Sequence, residues 1–449
     1  MRFDSEHVQK AYVKNIQLIR SYPSGWKYLS EFVSELTGGA TPLGADYPDS
    51  GVPFLRVQNI MPNFIDDSDM GFITAADDAL LSRSRLKLND VLLTITGVSY
   101  GKAAVATPEF VGSNINQHSV RIALKSGLRP HFLAAFLNAS PGKLQSDQNI
   151  TGVTRPALDY PTIRSFSVPL CSEGFQAAVE KAVVRGLEHF QQAKHHRSEA
   201  DQTLLSALGL EDWQPPEPLT YTRTASDAFT AGRIDSDYFS PARYATIEVL
   251  AAKPHKLLSE RCDSIRELFD PNKPGEITRV RNFDLGDALK PSLDDNQEIV
   301  STEEVGSTKK HMQAGDLVVS RLRSYLRQIA VVRTSDKVPT VGSTEFIVLR
   351  PRDGIDPELL MVFLRSHPVQ TILKYCQEGN QHPRFHEDNL LSIPVPDVLF
   401  EHSGEITKSI RAAHAARHEA RELLERAKRA VEIAIEQDEK AAIQFLNQR

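Results

Sequence analysis

Asn89-Asp90-Val91-Leu92-Leu93 and Gly315-Asp316-Leu317-Val318-Val319 are two copies of one pattern, a turn-forming residue, an aspartate and an apolar run. The first, within Leu88 to Ile95 followed by Thr96-Gly97, reads as a strand and then a turn, as does Asp316 to Ser320. Working outward from both copies, the correspondence continues in order. Arg56-Val57-Gln58-Asn59-Ile60 is answered by Arg279-Val280-Arg281-Asn282-Phe283, and Arg2-Phe3-Asp4-Ser5-Glu6 by Arg233-Ile234-Asp235-Ser236-Asp237. Downstream, Ala104-Val105 matches Ala330-Val331, and Val111-Gly112-Ser113 matches Val341-Gly342-Ser343. Phe136-Leu137 then pairs with Phe363-Leu364, and Val168-Pro169 with Val395-Pro396. The offset stays between 223 and 231 residues. Any one match is short enough to arise by chance; their order and near-constant offset identify a tandem duplication with diverged halves.

Each half has the same internal plan. A stretch rich in short β-like runs and turns contains one clear helix, Pro130 to Asn138 in the first half and Pro357 to Ser366 in the second, each opened by proline. Then the character changes. Ser172 to Leu208 and Ser403 to Phe445 lack proline and are rich in Ala, Glu, Arg and Leu, which predicts long helices. In the second, Ile406, Ile410, Ala413, Ala420, Leu424, Ala427, Val431 and Ala434 follow alternating four- and three-residue steps, with Arg417 at one seam position. This is a coiled-coil heptad. Phe175, Val179, Ala182, Gly186, Phe190 and Ala193 make a weaker seam in the first, interrupted at His189. The alternative is an ordinary amphipathic helix packed on its own domain; the equivalent positions of the two helices in the repeat favour helix-on-helix packing. A linker containing Pro215, Pro216 and Pro218 precedes the second half.

The bulk properties set limits. With 449 residues the chain can form two or three domains, and 41% hydrophobic with 24% charged residues is ordinary for globular protein. No run is long and apolar enough for a membrane span, and charges throughout the first twenty residues argue against a secretory signal. Cys171, Cys262 and Cys376 are far apart, predicting neither disulfides nor a zinc knuckle, as suits a cytoplasmic protein. The net charge of −6 excludes a broadly basic surface but not a local patch.

The order of blocks resembles the specificity subunit of type I restriction-modification systems, whose chains carry two target-recognition domains. The resemblance is carried by Ser24-Gly25-Trp26-Lys27 leading to Thr37-Gly38-Gly39-Ala40-Thr41-Pro42, and by Val52 to Ile60. Leu86 to Lys102 with Gly97 and Gly101, Thr151-Gly152-Val153-Thr154-Arg155, and Val168-Pro169-Leu170 before a long helix complete it. The second half departs from the pattern: Gly379-Asn380-Gln381-His382-Pro383-Arg384 replaces the Thr-Gly-x-Thr-Arg element, and the Gly-Gly-x-Thr-Pro opening is missing.

The resemblance implies an α+β fold: two pseudo-twofold-related globular α/β target-recognition domains separated by two long antiparallel coiled-coil helices. The expected divisions are an N-terminal helical segment (1–22), a first recognition domain (23–170) and a central spacer helix (171–211). A linker, the repeat start and the second recognition domain follow (212–398), then a C-terminal spacer helix (399–449). The implied partners are double-stranded DNA, read as a split site, two adenine methyltransferase subunits and restriction/translocase subunits. The Arg-x-Asp-Ser elements at Arg2 and Arg233 are also similar to type IIB-like enzymes, which leaves the system type open.

Candidate DNA-reading residues are polar or cationic groups on turns, because Arg and Lys bridge guanine acceptors and Asn and Gln bridge the donor-acceptor pair of adenine. In the first half these are Gln58, Asn59, Thr96, Ser99, Tyr100, Lys102, Asn116, Gln117, His118 and Arg155. In the second, Arg321, Arg323, Ser324, Tyr325 and Arg327 form the densest cluster, followed by Arg279, Arg281, Asn282, His382 and Arg384. The alternative for any one is a solvated turn residue.

Catalytic patterns are missing. There is no Asn/Asp-Pro-Pro-aromatic element of an adenine methyltransferase and no Rossmann glycine fingerprint. Gly97-Val98-Ser99-Tyr100-Gly101-Lys102-Ala103 has too few residues between its glycines for a phosphate loop, and Ala103 where magnesium needs a hydroxyl. His414 and His418 are spaced as helical metal ligands but lack a third, and read as solvated surface, as do His195-His196. The chain is therefore expected to bind no cofactor itself, S-adenosylmethionine, ATP and magnesium belonging to its partners. A scaffold or an antirestriction mimic of DNA is the competing class; a mimic should show blocks of like charge, and here the signs intermix.

Overall fold

The computed structural model describes residues 9–42, 44, 47–48, 50–152, 156–352 and 354–448. Arg155, with Val153 and Thr154, and the Arg2-Phe3-Asp4-Ser5-Glu6 element lie outside the described residues. The chain divides into two compact units, one formed by residues up to Ala193 together with those from Ala415, the other by Lys194–His414.

In the first unit the main sheet has strand order Val33–Gly38, Ser119–Leu124, Val91–Thr94, Ala103–Val105, each antiparallel to its neighbour. The central run Val91–Thr94 is buried on both faces, and its alternating side chains enter two different cores. Val91 and Leu93, with Ala103 and Val105, pack against the helix Pro130–Asn138, whose residues His131–Leu137 are all buried. Leu92 and Ala104 face the other way, onto Leu55, Ile60 and Ile115 of a smaller layer. That layer is a three-stranded sheet, Gly71–Ile73, Val52–Leu55 and Asn114–Ile115, the last pair parallel.

The second unit repeats this arrangement. Cys262–Ile265, Phe346–Pro351, Leu317–Ser320 and Ile329–Arg333 are antiparallel in the same order, and Ser292–Asp294 adds a parallel edge. Leu317, Val319, Ile329 and Val331 pack toward the helix Pro357–Arg365, while Val318, Ala330 and Val332 face Phe283 and Met312. Its second sheet has five strands, in which Arg279–Phe283 and Thr340–Gly342 reproduce the parallel pair of the first unit. In each unit a short ladder ties chain entry to exit: Trp26–Tyr28 with Ser167–Pro169, and His255–Leu257 with Pro394–Pro396.

The aspartates of the opening pattern hold the central hairpins. Asn89 and Gly315 adopt left-handed backbone (φ 68° and 90°), turning the chain into the strand. Asp90 accepts the Lys87 amide at 2.8 Å and pairs with buried Arg121, which also reaches Glu35 at 2.6 Å. Asp316 accepts the Gln313 amide at 2.9 Å and pairs in bidentate fashion with Arg350.

The long helices are Glu173–Leu208 and Ser403–Glu436. In the first unit they pack antiparallel: a Cβ on Gly186 would lie 3.0 Å from Leu424 and 3.2 Å from the Ala420 carbonyl, and His189 pairs with Glu419 at 3.3 Å. In the second unit Ala200, Leu204 and Leu208 share a core with Ile406 and Ile410. Of the predicted seam, Ala413 and Arg417 are only half-buried; Ile406, Ile410, Ala420, Leu424, Ala427, Val431 and Ala434 are buried. The last helix is not continuous to Phe445 as its composition suggests. Asp438 caps a separate helix, Glu439–Asn447, by accepting the Ala441 amide at 2.7 Å, and Arg426 binds the Phe445 and Leu446 carbonyls.

Candidate nucleic-acid interface

Each central strand ends in a loop pinned to a second loop by the same two bridges. In the first unit Thr96 and Thr151 both bridge to Ala157; in the second, Leu322 and Glu378 both bridge to Arg384. The first loop of each pair has left-handed backbone at both ends. In the first unit these positions are Gly97 (φ 73°) and Gly101 (φ 81°). In the second they are Arg323 (φ 52°) and Arg327 (φ 50°). A left-handed conformation costs a non-glycine residue roughly 1–2 kcal/mol, so the second unit bears strain to place two guanidinium groups there. The second loops match as well: Gly152 and Gly379 have φ of 92° and 88°. The Gly379–Arg384 segment, which departs from the first half in sequence, thus keeps its backbone bridges and its left-handed glycine.

In the second unit the loops form a charged cluster around Glu345. Arg384 binds Glu345 in bidentate fashion, Nε to Oε2 at 3.1 Å and Nη2 to Oε1 at 2.7 Å, and Arg321 Nε donates to the same carboxylate at 2.8 Å. Arg384, then Arg321, holds the Glu345 carboxyl below its ordinary pKa. Arg323 donates to the Gln381 carbonyl and lies 3.3 Å from His382 Nδ1. Ser324 is buried and exchanges hydrogen bonds with Gln377, which braces the loop, while Tyr325 is 61% exposed at its tip. Arg279 is exposed on the neighbouring sheet. Arg281 and Asn282 are placed differently. Arg281 is buried with its guanidinium shared between Asp295 and Asp336, and Asn282, half-buried, accepts the Gln297 side-chain amide at its main-chain carbonyl.

In the first unit Thr96 Oγ1 and His118 Nδ1 are 2.7 Å apart, joining the loop to the Asn116–His118 turn. Gly39 lets the chain pass directly over that turn, since a Cβ there would meet the Ile115 and Asn116 carbonyls at 2.1 and 2.3 Å. Thr41 thereby hydrogen-bonds Gln117, which is exposed. Ser99 accepts from Thr94 through its carbonyl, and Lys102 is half-buried beside it. Tyr100 donates to Asp147 at 2.7 Å, its hydroxyl pushed up to about 12 by burial and that carboxylate. Gln58 is exposed and bonds Asp69. Asn59 and Asn116 are buried and serve the backbone: Asn59 bonds the Arg56 amide and the Asp66 and Asp69 carbonyls, and Asn116 accepts from the His118 amide.

No protein-family model and no curated protein sequence matches the chain significantly. Solved structures do. The chain is similar to a type I restriction-modification system S subunit from M. genitalium, at 11% identity and a TM-score of 0.38, over 95% of this chain and 97% of that one. It is similar to an HsdS subunit from Thermoanaerobacter tengcongensis at 16% identity and a TM-score of 0.31, over 93% and 97%. A chain from a type I R-M system studied for its complex assembly matches at 16% identity and a TM-score of 0.27, over 94% and 96%.

Two features of the loops escaped the sequence reading. Arg233, noted only as a repeat marker, binds the Cys376 and Gln377 carbonyls and pairs with Glu378, fixing the base of the second loop. Glu345, the shared partner of Arg321 and Arg384, carries no motif at all. Among the described residues no group of three or more His, Cys, Asp or Glu side chains is placed to hold a metal, and no helix is long and apolar enough to cross a membrane. His418 pairs with Glu422, and His195 and His196 with Glu199.

Proposed function

We propose that this chain is the DNA sequence-specificity subunit of a type I restriction-modification complex, acting in the cytoplasm in defence against phage. Each unit reads one part of a bipartite target, and the long helices dock two adenine methyltransferase subunits and, through them, restriction/translocase subunits. The chain itself performs no catalysis; S-adenosylmethionine, ATP and magnesium are bound by the partners.

The observation that supports this reading best is the pair of loops with one backbone and two chemistries. Both units hold the loop after the central strand by the same bridges and the same left-handed ends, yet one presents Thr, Ser and Tyr and the other Arg and Tyr. A fixed frame displaying different hydrogen-bonding groups is what reading two different base sequences requires. A DNA mimic would need clustered acids; here the exposed cluster around Glu345 carries three arginines.

The test is to purify the chain, add methyltransferase subunits with S-adenosylmethionine, and map methylated adenines. A bipartite target is expected, with no turnover by the chain alone in S-adenosylmethionine, ATP and magnesium. Turnover by the isolated chain, a continuous target, or failure to bind duplex DNA would overturn the reading.

A further inference from the structure

Beside the arginine loop of the second unit lies a cleft of about 190 Å³ whose lining includes Tyr325, Arg327, His367, Lys374 and Tyr375. We infer that it grips one phosphate of the DNA backbone through Arg327 and Lys374, so that Arg327 anchors the duplex while Arg321 and Arg323 face the bases. This inference rests on the function proposed above and assigns Arg327, one of the candidate base readers, to the DNA backbone instead.

Three observations carry it. The first is chemistry. Arg327 and Lys374 bring two cations to one concave site, which the 61% exposed Tyr325 also lines. The one carboxylate in the lining, Glu217, is engaged by the Tyr375 hydroxyl at 2.8 Å. Arg197 lies within electrostatic range of Arg327 and adds a further positive charge, against the single carboxylate of Asp201. Burial, and next the charge of Arg327, hold His367 below its ordinary pKa.

The second is strain. Arg327 takes left-handed backbone where the first unit has Gly101, which a residue tolerates when its side chain is needed at that spot.

The third is the contrast between units. Lys374 is the eighth residue of the helix His367–Tyr375, where the corresponding helix Ser140–Asn149 has Asp147. In the first unit that position neutralises itself: Lys143 pairs with Asp147 and stacks 3.7 Å from the Tyr100 ring centroid, and Tyr100 donates to Asp147. The same place in the fold is closed by an ion pair in one unit and left open and cationic in the other. The second unit should therefore carry more of the salt-dependent grip.

The experiment uses the full chain, Arg327→Gly and Lys374→Ala singly and together, and fluorescence anisotropy with duplexes across a salt series. Arg327→Gly relieves the left-handed strain, so a folding failure cannot mimic the expected result. Losing one phosphate contact should make the slope of log K against log salt shallower by about one for every duplex sequence alike. Lys143→Ala, in the first unit, should leave the slope unchanged. Inorganic phosphate added as competitor should weaken wild-type binding to no greater extent than its ionic strength predicts, since the site takes its phosphate from a duplex. An unchanged slope in the double variant, with wild-type binding intact, would overturn this inference alone; so would a change confined to particular sequences, which would make the cleft a base reader. Selective competition by inorganic phosphate would assign it to a free anion instead. Absence of duplex binding by the wild-type chain would overturn the proposed function together with this site.

Discussion

Arg323 is the residue at which fold and function pull against each other most visibly. Its φ of 52° belongs to glycine, and the first unit has Gly97 in the same place. Replacing it by glycine removes roughly 1–2 kcal/mol of backbone strain. Glycine gives back about 0.5–1 kcal/mol through the freer unfolded chain. Arg323→Gly is therefore expected to leave thermal stability unchanged or raise it by up to about 1.5 kcal/mol. Recognition of only one half of the target should weaken, by about 1–3 kcal/mol if a base contact is lost. Melting curves and methylation of single-half-site variants read the two effects separately; a clear loss of stability would show that the arginine is there to hold the loop. The two buried aspartates offer a second contrast. In both Asp90→Asn and Asp316→Asn the amide oxygen can still accept its turn N–H, so only charge changes. Arg121 is 2% exposed and keeps Glu35 and the Arg83 carbonyl but cannot turn to water, so Asp90→Asn should cost about 3 kcal/mol. The side chain of Arg350 is 37% exposed and can turn to water, so Asp316→Asn should cost nearer 1 kcal/mol. Equal losses in denaturant titrations would mean that exposure of the arginine does not set the cost.

Among elements, the long helices carry the clearest expectation. Gly186 is a poor helix former by about 1 kcal/mol, yet it sits in the middle of Glu173–Leu208 because the facing helix comes too close for a side chain. Leu424 could rotate away from a new methyl group; the Ala420 carbonyl is backbone and could not. Gly186→Leu should destabilise the first unit by about 1–3 kcal/mol through overpacking. Gly174, near the start of the same helix with nothing within 4 Å, is the control, and Gly174→Ala should be neutral or stabilising. Chemical denaturation followed by tryptophan fluorescence distinguishes the cases, and a stabilised Gly186→Leu would mean the helices are free to part. The heptad in Ser403–Glu436 was legible because its apolar steps are regular. The seam of Glu173–Leu208 was harder to see, because Gly186 and Ala193 mark close approach rather than hydrophobicity. The break at Asp438 was missed because a capping aspartate inside an Ala- and Glu-rich run has no proline or glycine to announce it.

On the scale of the whole molecule, the proposed function makes the paired helices a ruler. The register of Gly186 with Leu424 and of His189 with Glu419 carries Gln192 opposite Ala416, so matched insertions belong after those two residues. A heptad adds about 10 Å of helix, or roughly three base pairs. Three base pairs also turn the duplex by about a third of a revolution, whereas a heptad turns the helix seam by only about 20°. One inserted heptad should therefore weaken bipartite recognition. Three in each helix, close to one duplex turn, should restore it with an unread gap lengthened by about nine base pairs. Mapping methylated sites of reconstituted complexes checks this; an unchanged gap in an assembled complex would show that the helices do not set spacing.

Period and repetition are properties a chain carries in one dimension, and they determined what could be read directly: two diverged halves, a strand after each aspartate, a proline-led helix, and two long helices with apolar seams. Loop candidates were also visible, because Arg321, Arg323, Tyr325 and Arg327 crowd one turn. What those candidates do was decided only in three dimensions. Arg281 and Arg321 look alike in sequence, but Arg281 lies buried between Asp295 and Asp336 while Arg321 is exposed beside Glu345. Asn59 and Asn116 were spent on neighbouring amides and carbonyls, and Gln58 and Gln117 next to them were left at the surface. The equivalence of Arg323 with Gly97, and of the Gly379 loop with the Gly152 loop, is written in backbone torsions that no residue identity records. Burial and pairing depend on which distant segments fold against a residue, and the distances from Arg281 to Asp336 or from Arg384 to Glu345 exist only once the sheets have closed around them.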